Sequence, residues 1–227
     1  GAIKKAAELL RAKLEVEGLF APERKRPLPE IPRRVGLITA AASAACADFI
    51  KILDERWGGV EVLLADVLVQ GAEAPAAIVA AVEYFEQINP LADVLIITRG
   101  GGSAEDLAVF NDERVVRAVA GSRTPTLVAI GHEVDISLAE LAADRRASTP
   151  TNAAQIVVPD HRHVAAQLEN VGSGLQKFLL DEIDSAASVL KDNQKYLTSQ
   201  VFPSLDQAMR NLEATRKLIG VFNPRAA

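Results

Sequence analysis

The sequence is short of the residue types that mark several classes of protein. Aromatic residues make up only 4% of the 227 positions, so broad stacking platforms for nucleic-acid bases are not expected. Cys46 is the single cysteine, which excludes an internal disulfide and a cluster of cysteine metal ligands, and suits a reducing compartment such as the cytoplasm. No apolar run approaches the ~20 residues that span a bilayer, and the first residues do not resemble a signal peptide. Neither membrane insertion nor export is therefore expected.

An excess of basic residues is also missing, since the formal net charge is −5. Proteins that bind nucleic acid usually carry a basic excess, so any contact with phosphates must be local. Local clusters occur at Arg24-Lys25-Arg26, Arg33-Arg34 and Arg145-Arg146. A solvated surface is the alternative interpretation of each cluster. With 49% hydrophobic residues, the chain can fill one domain with an aliphatic core and add an extension.

From residue 35 onward, short β-branched runs alternate with helical stretches. The pattern predicts strands over 35–39, 60–65, 93–98 and 126–130, and helices over 43–57, 73–88 and 104–121. Each helical stretch is long enough for a right-handed crossover between parallel strands. The predicted fold is therefore α/β, with a parallel, doubly wound, flavodoxin-like sheet followed by a helical, coiled-coil-like extension.

Three segments follow from these patterns. The sequence predicts a leading helix over 3–17 and a proline-rich basic linker within residues 1–34. It predicts the α/β domain over residues 35–150 and the helical extension over residues 151–227. Apolar residues at alternating spacings of three and four predict two antiparallel helices or coiled-coil segments, interrupted at Phe202-Pro203. Gly172-Ser173-Gly174 marks a kink, a weak point or an engineered join.

The functional residues are expected where the strands end. Ligands of an open parallel sheet bind beyond the carboxyl ends of its strands, because the loops diverge there and helix N-termini point inward. Three loops follow the first, third and fourth predicted strands: residues 39–43, 99–103 and 131–135. They should lie together.

Arg99 followed by Gly100, Gly101 and Gly102 is the most informative of these loops. Glycines let backbone amides approach an anion closely, and an arginine offers a planar, permanently charged fork. The pattern predicts a phosphate-binding loop. The alternative is a flexible turn capped by Ser103, and the two interpretations are compatible.

His132 and Asp135 follow the fourth predicted strand and are three residues apart. If a helix begins here, they share a face and form either a general base with its orienting carboxylate or a pair of metal ligands. The alternative is a structural histidine with Asp135 capping a helix.

Three further residues are weaker candidates. Asp48 can turn toward the same loops, Asn111 can donate a hydrogen bond to a substrate oxygen, and the hydroxyl of Thr151 can reach phosphate. The alternatives are a solvent-facing carboxylate for Asp48 and ordinary helix starts for the segments around Asn111 and Thr151.

Several ordered motifs resemble the large subunit of exodeoxyribonuclease VII. They are Lys25-Arg26-Pro27-Leu28-Pro29, Val35-Gly36-Leu37-Ile38-Thr39, Arg99-Gly100-Gly101-Gly102-Ser103, Phe110-Asn111-Asp112-Glu113, Gly131-His132-Glu133-Val134-Asp135 and Thr149-Pro150-Thr151. The resemblance runs from about residue 1 through 160. The helical remainder is similar only in character.

This resemblance implies exonucleolytic hydrolysis of single-stranded DNA to short oligonucleotides, by a large subunit that assembles with copies of a small helical subunit. Carried over by position, the family's functional residues fall on Asp48, Arg99, His132 and Asp135. A metal requirement stays open; if Mg²⁺ is bound, Asp48 and Asp135 are the expected ligands. The helical extension can also support self-association.

The chain also departs from the family. An N-terminal OB-fold is absent and the coiled coil is short, so the chain looks like a fragment whose affinity for single strands is reduced. Alanines occupy positions 40–42, where the family tends to have Ser, Pro and Thr. A non-catalytic module that binds nucleotide phosphates and a purely structural assembly subunit are the two alternative functions.

Overall fold

The computed structural model describes residues 2–87, 91–100, 104–130 and 136–222. At its centre lies a sheet of five parallel strands in the order β2-β1-β3-β4-β5. The strands are β1 (Arg34–Thr39), β2 (Glu61–Asp66), β3 (Val94–Thr98), β4 (Thr126–Ala129) and β5 (Arg145–Arg146). The flavodoxin-like prediction is confirmed, and the two-residue β5 adds a strand that the sequence did not indicate.

The helices are α1 (Ala2–Val16), α2 (Ala44–Arg56), α3 (Ala74–Gln87), α4 (Glu113–Gly121), α5 (Leu138–Ala142), α6 (Pro150–Val157), α7 (His161–Tyr196) and α8 (Phe202–Phe222). Those from α1 to α6 cover the two faces of the sheet. Buried residues of α2 and α6 form one core layer with the alternate strand residues that face them. Those of α1, α3, α4 and α5 form the other layer. The strands β2 and β3 lie on opposite sides of β1, so the strand order reverses between β1 and β3, and right-handed crossovers put α2 and α3 on opposite faces. Ligands of such sheets bind at this point of reversal.

The basic motif of the predicted linker ties the chain to the start of β4. Arg26 donates to the Asp144 carboxylate at 2.7 and 3.0 Å, and the backbone and hydroxyl of Thr126 donate to the same group. Burial acts to raise the pKa of Asp144, but the hydrogen bonds from Arg26 and Thr126 together outweigh it and hold that pKa below its ordinary value. The neighbouring Lys25 donates to the carbonyls of Leu141 and Ala143 at the end of α5. Lys25 and Arg26 therefore attach the linker to the end of α5 and to Asp144.

The predicted helix over 104–121 is wrong as a single element. The segment forms a 3-10 helix, Ala104–Asn111, and then the separate helix α4. Asp112 lies between them with extended backbone angles, and its carboxylate accepts the amide of Arg114 at 2.9 Å. The capping carboxylate starts a new helix where the apolar pattern alone predicts continuation.

The predicted helical extension also differs in where it breaks. Helix is interrupted at residues 158–160, while the backbone between α7 and α8 stays helical through a π-helical segment, Leu197–Val201. Tyr196 and Phe202 both have right-handed helical angles, so the chain does not turn back at Phe202-Pro203 into two antiparallel helices. The Phe202 amide donates to Leu197 O, and this wider turn accommodates Pro203, which has no N–H.

The chain forms two compact units, residues 1–165 and residues 166–227. In the second, α7 continues unbroken through Gly172-Ser173-Gly174. Its described side chains, from 166 through 219, are all exposed, including a series of large apolar residues such as Leu175, Leu190 and Leu212.

Candidate active site at the carboxyl edge of the sheet

Arg99 lies directly beyond β3 at the carboxyl edge, the end of the sheet at which all five strands finish. It is only 5% exposed, and its backbone amide donates to Ala129 O at 3.3 Å. The hydroxyl of Thr98 donates to the same carbonyl at 3.0 Å, so the ends of β3 and β4 are held together. A guanidinium withdrawn from water interacts more strongly with an anion than an exposed one does.

Gly100 lies against the first turn of α2. A Cβ built on Gly100 would meet the Ala45 Cβ at 3.6 Å and the Ala45 amide nitrogen at 3.7 Å, which is ordinary contact. Ser43 caps this helix by accepting the Cys46 amide at 3.2 Å. The start of the glycine loop therefore adjoins a helix N-terminus, whose amides and dipole favour an anion.

Asp48 lies on α2 one turn beyond Ala45, the residue that adjoins Gly100, and its side chain is exposed. The exposure leaves its carboxylate accessible to a substrate at the carboxyl edge. It fits the alternative of a solvent-facing carboxylate equally well. Its catalytic role therefore stays a prediction.

A second helix N-terminus lies at the same edge. Helix α6 follows β5, packs with α2 on one face of the sheet, and is capped by Thr149, whose hydroxyl accepts the Asn152 amide at 3.0 Å. The predicted helix start is confirmed. Thr151 is half-buried in the first turn of α6. Phosphate contact by its hydroxyl remains a prediction.

Asn111 has a structural role in addition to its predicted one. Its Oδ1 accepts the Leu138 amide at 2.8 Å and so satisfies the N-terminus of α5. Ser137 and Glu140 complete that N-terminus as a capping box, and the buried Glu140 also accepts from Arg146 at 3.1 Å. The amide nitrogen of Asn111 remains as a donor, and its predicted contact with a substrate oxygen stays a prediction.

Five predicted site residues lie outside the described part of the chain: Gly101, Gly102, Ser103, His132 and Asp135. The described residues that flank 131–135 are fixed at the carboxyl edge, because β4 ends at Ala129 and α5 begins after its cap, Ser137. The cap of α5 is thus two residues beyond Asp135.

Two polar residues at the carboxyl edge were not predicted as site residues, although Thr39 begins the predicted loop 39–43. Thr39, the last residue of β1, is fully buried, and its hydroxyl finds no hydrogen-bond partner within the described residues. Asp66, its register partner at the end of β2, is exposed and accepts the Ala41 amide at 2.8 Å. The hydrogen bond to Ala41 holds Asp66 beside the loop that precedes α2. Burial raises the pKa of the Cys46 thiol in the first turn of α2, and the Asp66 charge raises that pKa further.

Within the described ranges, no three His, Cys, Asp or Glu residues come together as a metal site. Asp48 is the one predicted metal ligand that these ranges include. Carboxylate oxygens are suitable ligands for Mg²⁺, so the chemistry of Asp48 fits that ion, while Asp135 lies outside the described residues.

Several basic residues form ion pairs or hydrogen bonds within the protein. Beside Lys25 and Arg26, Arg34 pairs with Glu61 at 2.8 Å, and Arg146 pairs with Glu140. Among the described residues, no helix has the length and apolar character needed to cross a membrane. The fold and its carboxyl edge define a doubly wound α/β protein in which a buried arginine is followed by a glycine that adjoins the N-terminus of α2, an arrangement suited to anionic ligands.

Comparison with known proteins identifies the family. The family model described as "Exonuclease VII, large subunit" matches residues 19–221. The chain is 44% identical over 192 residues to the exodeoxyribonuclease 7 large subunit of Rhodopirellula baltica, covering 85% of this chain and 43% of that protein. It is 49% identical over 183 residues to the protein of the same name from Acidothermus cellulolyticus, covering 81% and 44%. With the Geobacter metallireducens protein, identity is 38% over 245 residues, covering 99% and 54%.

The chain belongs to the exonuclease VII large-subunit family. It spans roughly half the length of these curated relatives.

Proposed function

We propose that the chain carries the catalytic region of an exodeoxyribonuclease that hydrolyses phosphodiester bonds in single-stranded DNA from the ends and releases oligonucleotides. The observation that carries this proposal is that the buried Arg99 is followed by Gly100, which adjoins the N-terminus of α2 at the point where the strand order reverses. The curated relatives of the chain are named exodeoxyribonuclease 7 large subunits. An anion site at that point suits a phosphodiester.

In the proposed mechanism, Arg99 and the backbone amides of Gly100 to Gly102 hold the scissile phosphate and offset charge that develops on its oxygens. His132 activates water or protonates the leaving oxygen, and Asp135 orients His132. Asp48 completes the polar site by positioning water or, with Asp135, by holding Mg²⁺. A bound Mg²⁺ would supply charge neutralisation at the phosphate.

Ser103, Asn111 and Thr151 are proposed to contact the substrate around the reacting phosphate. For Thr151 the support is its place in the first turn of α6, which begins at the carboxyl edge. For Asn111 it is the amide nitrogen that remains after its Oδ1 has capped α5.

The proposed partners are single-stranded DNA and the small helical subunit of exodeoxyribonuclease VII. Support for a helical partner comes from residues 166–219, whose exposed apolar side chains recur at the spacing of a coiled coil. Self-association through the same helix is the competing use of that surface. The proposed compartment is the cytoplasm, which suits the single, free Cys46.

The test uses end-labelled single-stranded and duplex DNA, with and without a chelator. The chain is fused to the carboxyl end of an amino-terminal OB-fold from a family member and is assayed together with the small subunit. Arg99→Gln should lower kcat/KM by about 30- to 1,000-fold, since removal of a preorganised donor costs about 2 to 4 kcal/mol of transition-state stabilisation. His132→Ala should abolish shortening of single strands.

Arg123→Gln is the matched control for Arg99→Gln. Arg123 lies between α4 and β4, at the opposite end of the sheet, and its side chain is exposed. Nucleotide binding without cleavage by the unaltered protein would favour a non-catalytic phosphate-binding module. Unaltered assembly and no activity in any variant would favour a structural subunit, and the chelator lanes decide the metal requirement.

A further inference from the structure

Asp66 holds the loop that leads into α2. It ends β2, directly beside Thr39 in the register of the sheet, and its Oδ1 accepts the amide of Ala41 at 2.8 Å. The carboxylate therefore reaches across from one strand end to the loop that follows the neighbouring strand.

Ala40 packs against the hydrophobic core, but within the described residues few hydrogen bonds hold the backbone of this loop. Residues 40–42 are alanines, so none of them has a side chain that can form a hydrogen bond. Within the loop, the Ser43 amide donates to Ala40 O at 3.0 Å, and the Ser43 hydroxyl is used to cap α2. Among the described residues, Asp66 is the side chain from outside the loop that hydrogen-bonds to the loop backbone.

The loop sets the position of the first turn of α2. That turn carries Ala45, which adjoins Gly100, and Asp48 follows one turn later. A shift of the loop would therefore move the helix N-terminus and Asp48 relative to Arg99 and the glycine loop. In oriented catalysis a misplacement of about 1 Å can lower the rate by about 100-fold.

We propose that Asp66 is a positioning residue for the reaction: by holding the Ala41 amide, it keeps the first turn of α2 against Gly100. This role rests on the proposed nuclease function. The carboxylate acts through the loop and does not touch the reacting phosphate, so an uncharged acceptor of the same shape can replace it.

The chain contains a matched control. Asp93, at the amino end of β3, is also exposed and accepts the amides of Arg33 and Arg34 at 2.7 and 2.9 Å, where β1 begins. Like Asp66, Asp93 accepts backbone amides of a segment next to or within β1, but it does so at the opposite end of the sheet. Loss of either carboxylate costs backbone hydrogen bonds, and only Asp66 adjoins the proposed site.

The experiment compares Asp66→Ala, Asp66→Asn and Asp93→Ala in the cleavage assay, well below their melting temperatures. Asp66→Ala should lower kcat by at least about tenfold with KM for DNA little changed. Asp66→Asn should restore most of kcat, because the asparagine Oδ1 accepts the same amide. Asp93→Ala should lose stability and keep kcat.

Amide hydrogen exchange at Ala41 gives a readout that does not depend on cleavage. Protection should be lost in Asp66→Ala and kept in Asp66→Asn. Equal kcat for Asp66→Ala and Asp93→Ala, or an Asp66→Asn variant as slow as Asp66→Ala, would overturn the assignment while leaving the nuclease proposal intact. Failure of the unaltered protein to cleave any DNA would overturn the nuclease proposal, and with it the role of Asp66 in hydrolysis.

Discussion

Thr39 places a hydroxyl in the core at the end of β1, and the described chain offers this hydroxyl no partner. An unsatisfied buried polar group costs about 1 to 3 kcal/mol. Thr39→Val keeps the shape and removes the hydroxyl, so it should raise the free energy of unfolding by about 1 kcal/mol, measured by urea denaturation.

Thr98→Val is the control for this change. Thr98 is equally buried on the neighbouring strand, but its hydroxyl donates to Ala129 O, so its loss should destabilise the protein by about 1 kcal/mol. A Thr39→Val protein that is destabilised as much as Thr98→Val would show that the Thr39 hydroxyl has a partner after all.

The residues that sequence could place are those with a pattern around them. Arg99 stands between a β-branched run and three glycines, so both its strand end and its chemistry are visible. Thr39 and Asp66 are single polar residues at strand ends, where no spacing distinguishes them. Their importance depends on which strands are neighbours, and that is a property of the folded sheet.

The clamp between Arg26 and Asp144 joins two elements that are far apart in sequence, and it should make stability depend on pH. The Asp144 carboxylate is 5% exposed and lies 2.7 Å from the guanidinium. Asp144→Asn should lower the free energy of unfolding by about 2 to 3 kcal/mol at pH 7, because the asparagine NH2 cannot accept the hydrogen bonds that the buried carboxylate accepts from Arg26 and Thr126.

The sign of the pH effect follows from the lowered pKa of Asp144. The folded state favours the carboxylate, so its stabilisation is complete above the ordinary value of 3.8 and is lost as pH falls below it. The difference between wild type and Asp144→Asn should be constant from about pH 7 to 5 and shrink below about pH 4. Glu61→Gln is the control; it breaks the exposed Arg34–Glu61 pair and should change stability by less than about 1 kcal/mol at any of these pH values.

At the same scale, β1 to β4 were predictable from the sequence, while β5 and the division of the predicted helix 104–121 were not. β1 to β4 are apolar runs that end in loops with turn residues, and period and composition agree there. The segment 104–121 keeps an apolar pattern across Asp112, so periodicity predicts one helix, while the capping carboxylate divides it. β5 consists of two arginines and has no strand pattern; it is a strand only because β4 lies beside it.

For the whole molecule, burial separates the two units. Every described side chain from 166 through 219 is exposed, so none of them contributes to either core layer of residues 1–165. The exposed apolar side chains of this segment are typical of a helix that packs against a partner. An isolated helix of this kind gains little stability from its own side chains.

A chain that ends at Ala165 should therefore unfold at the temperature of the full chain, within about 2 °C. Trp57, the single tryptophan, lies in the first unit, so its fluorescence reports the melting of that unit alone. Far-UV circular dichroism should show the loss of helix, and the proposed binding of the small helical subunit should not be detected. A fall of more than about 5 °C in the Trp57 transition would mean that the helix stabilises the α/β unit, since a shift of that size corresponds to about 1 to 2 kcal/mol. Retained binding of the small subunit would instead place its docking surface on the α/β unit.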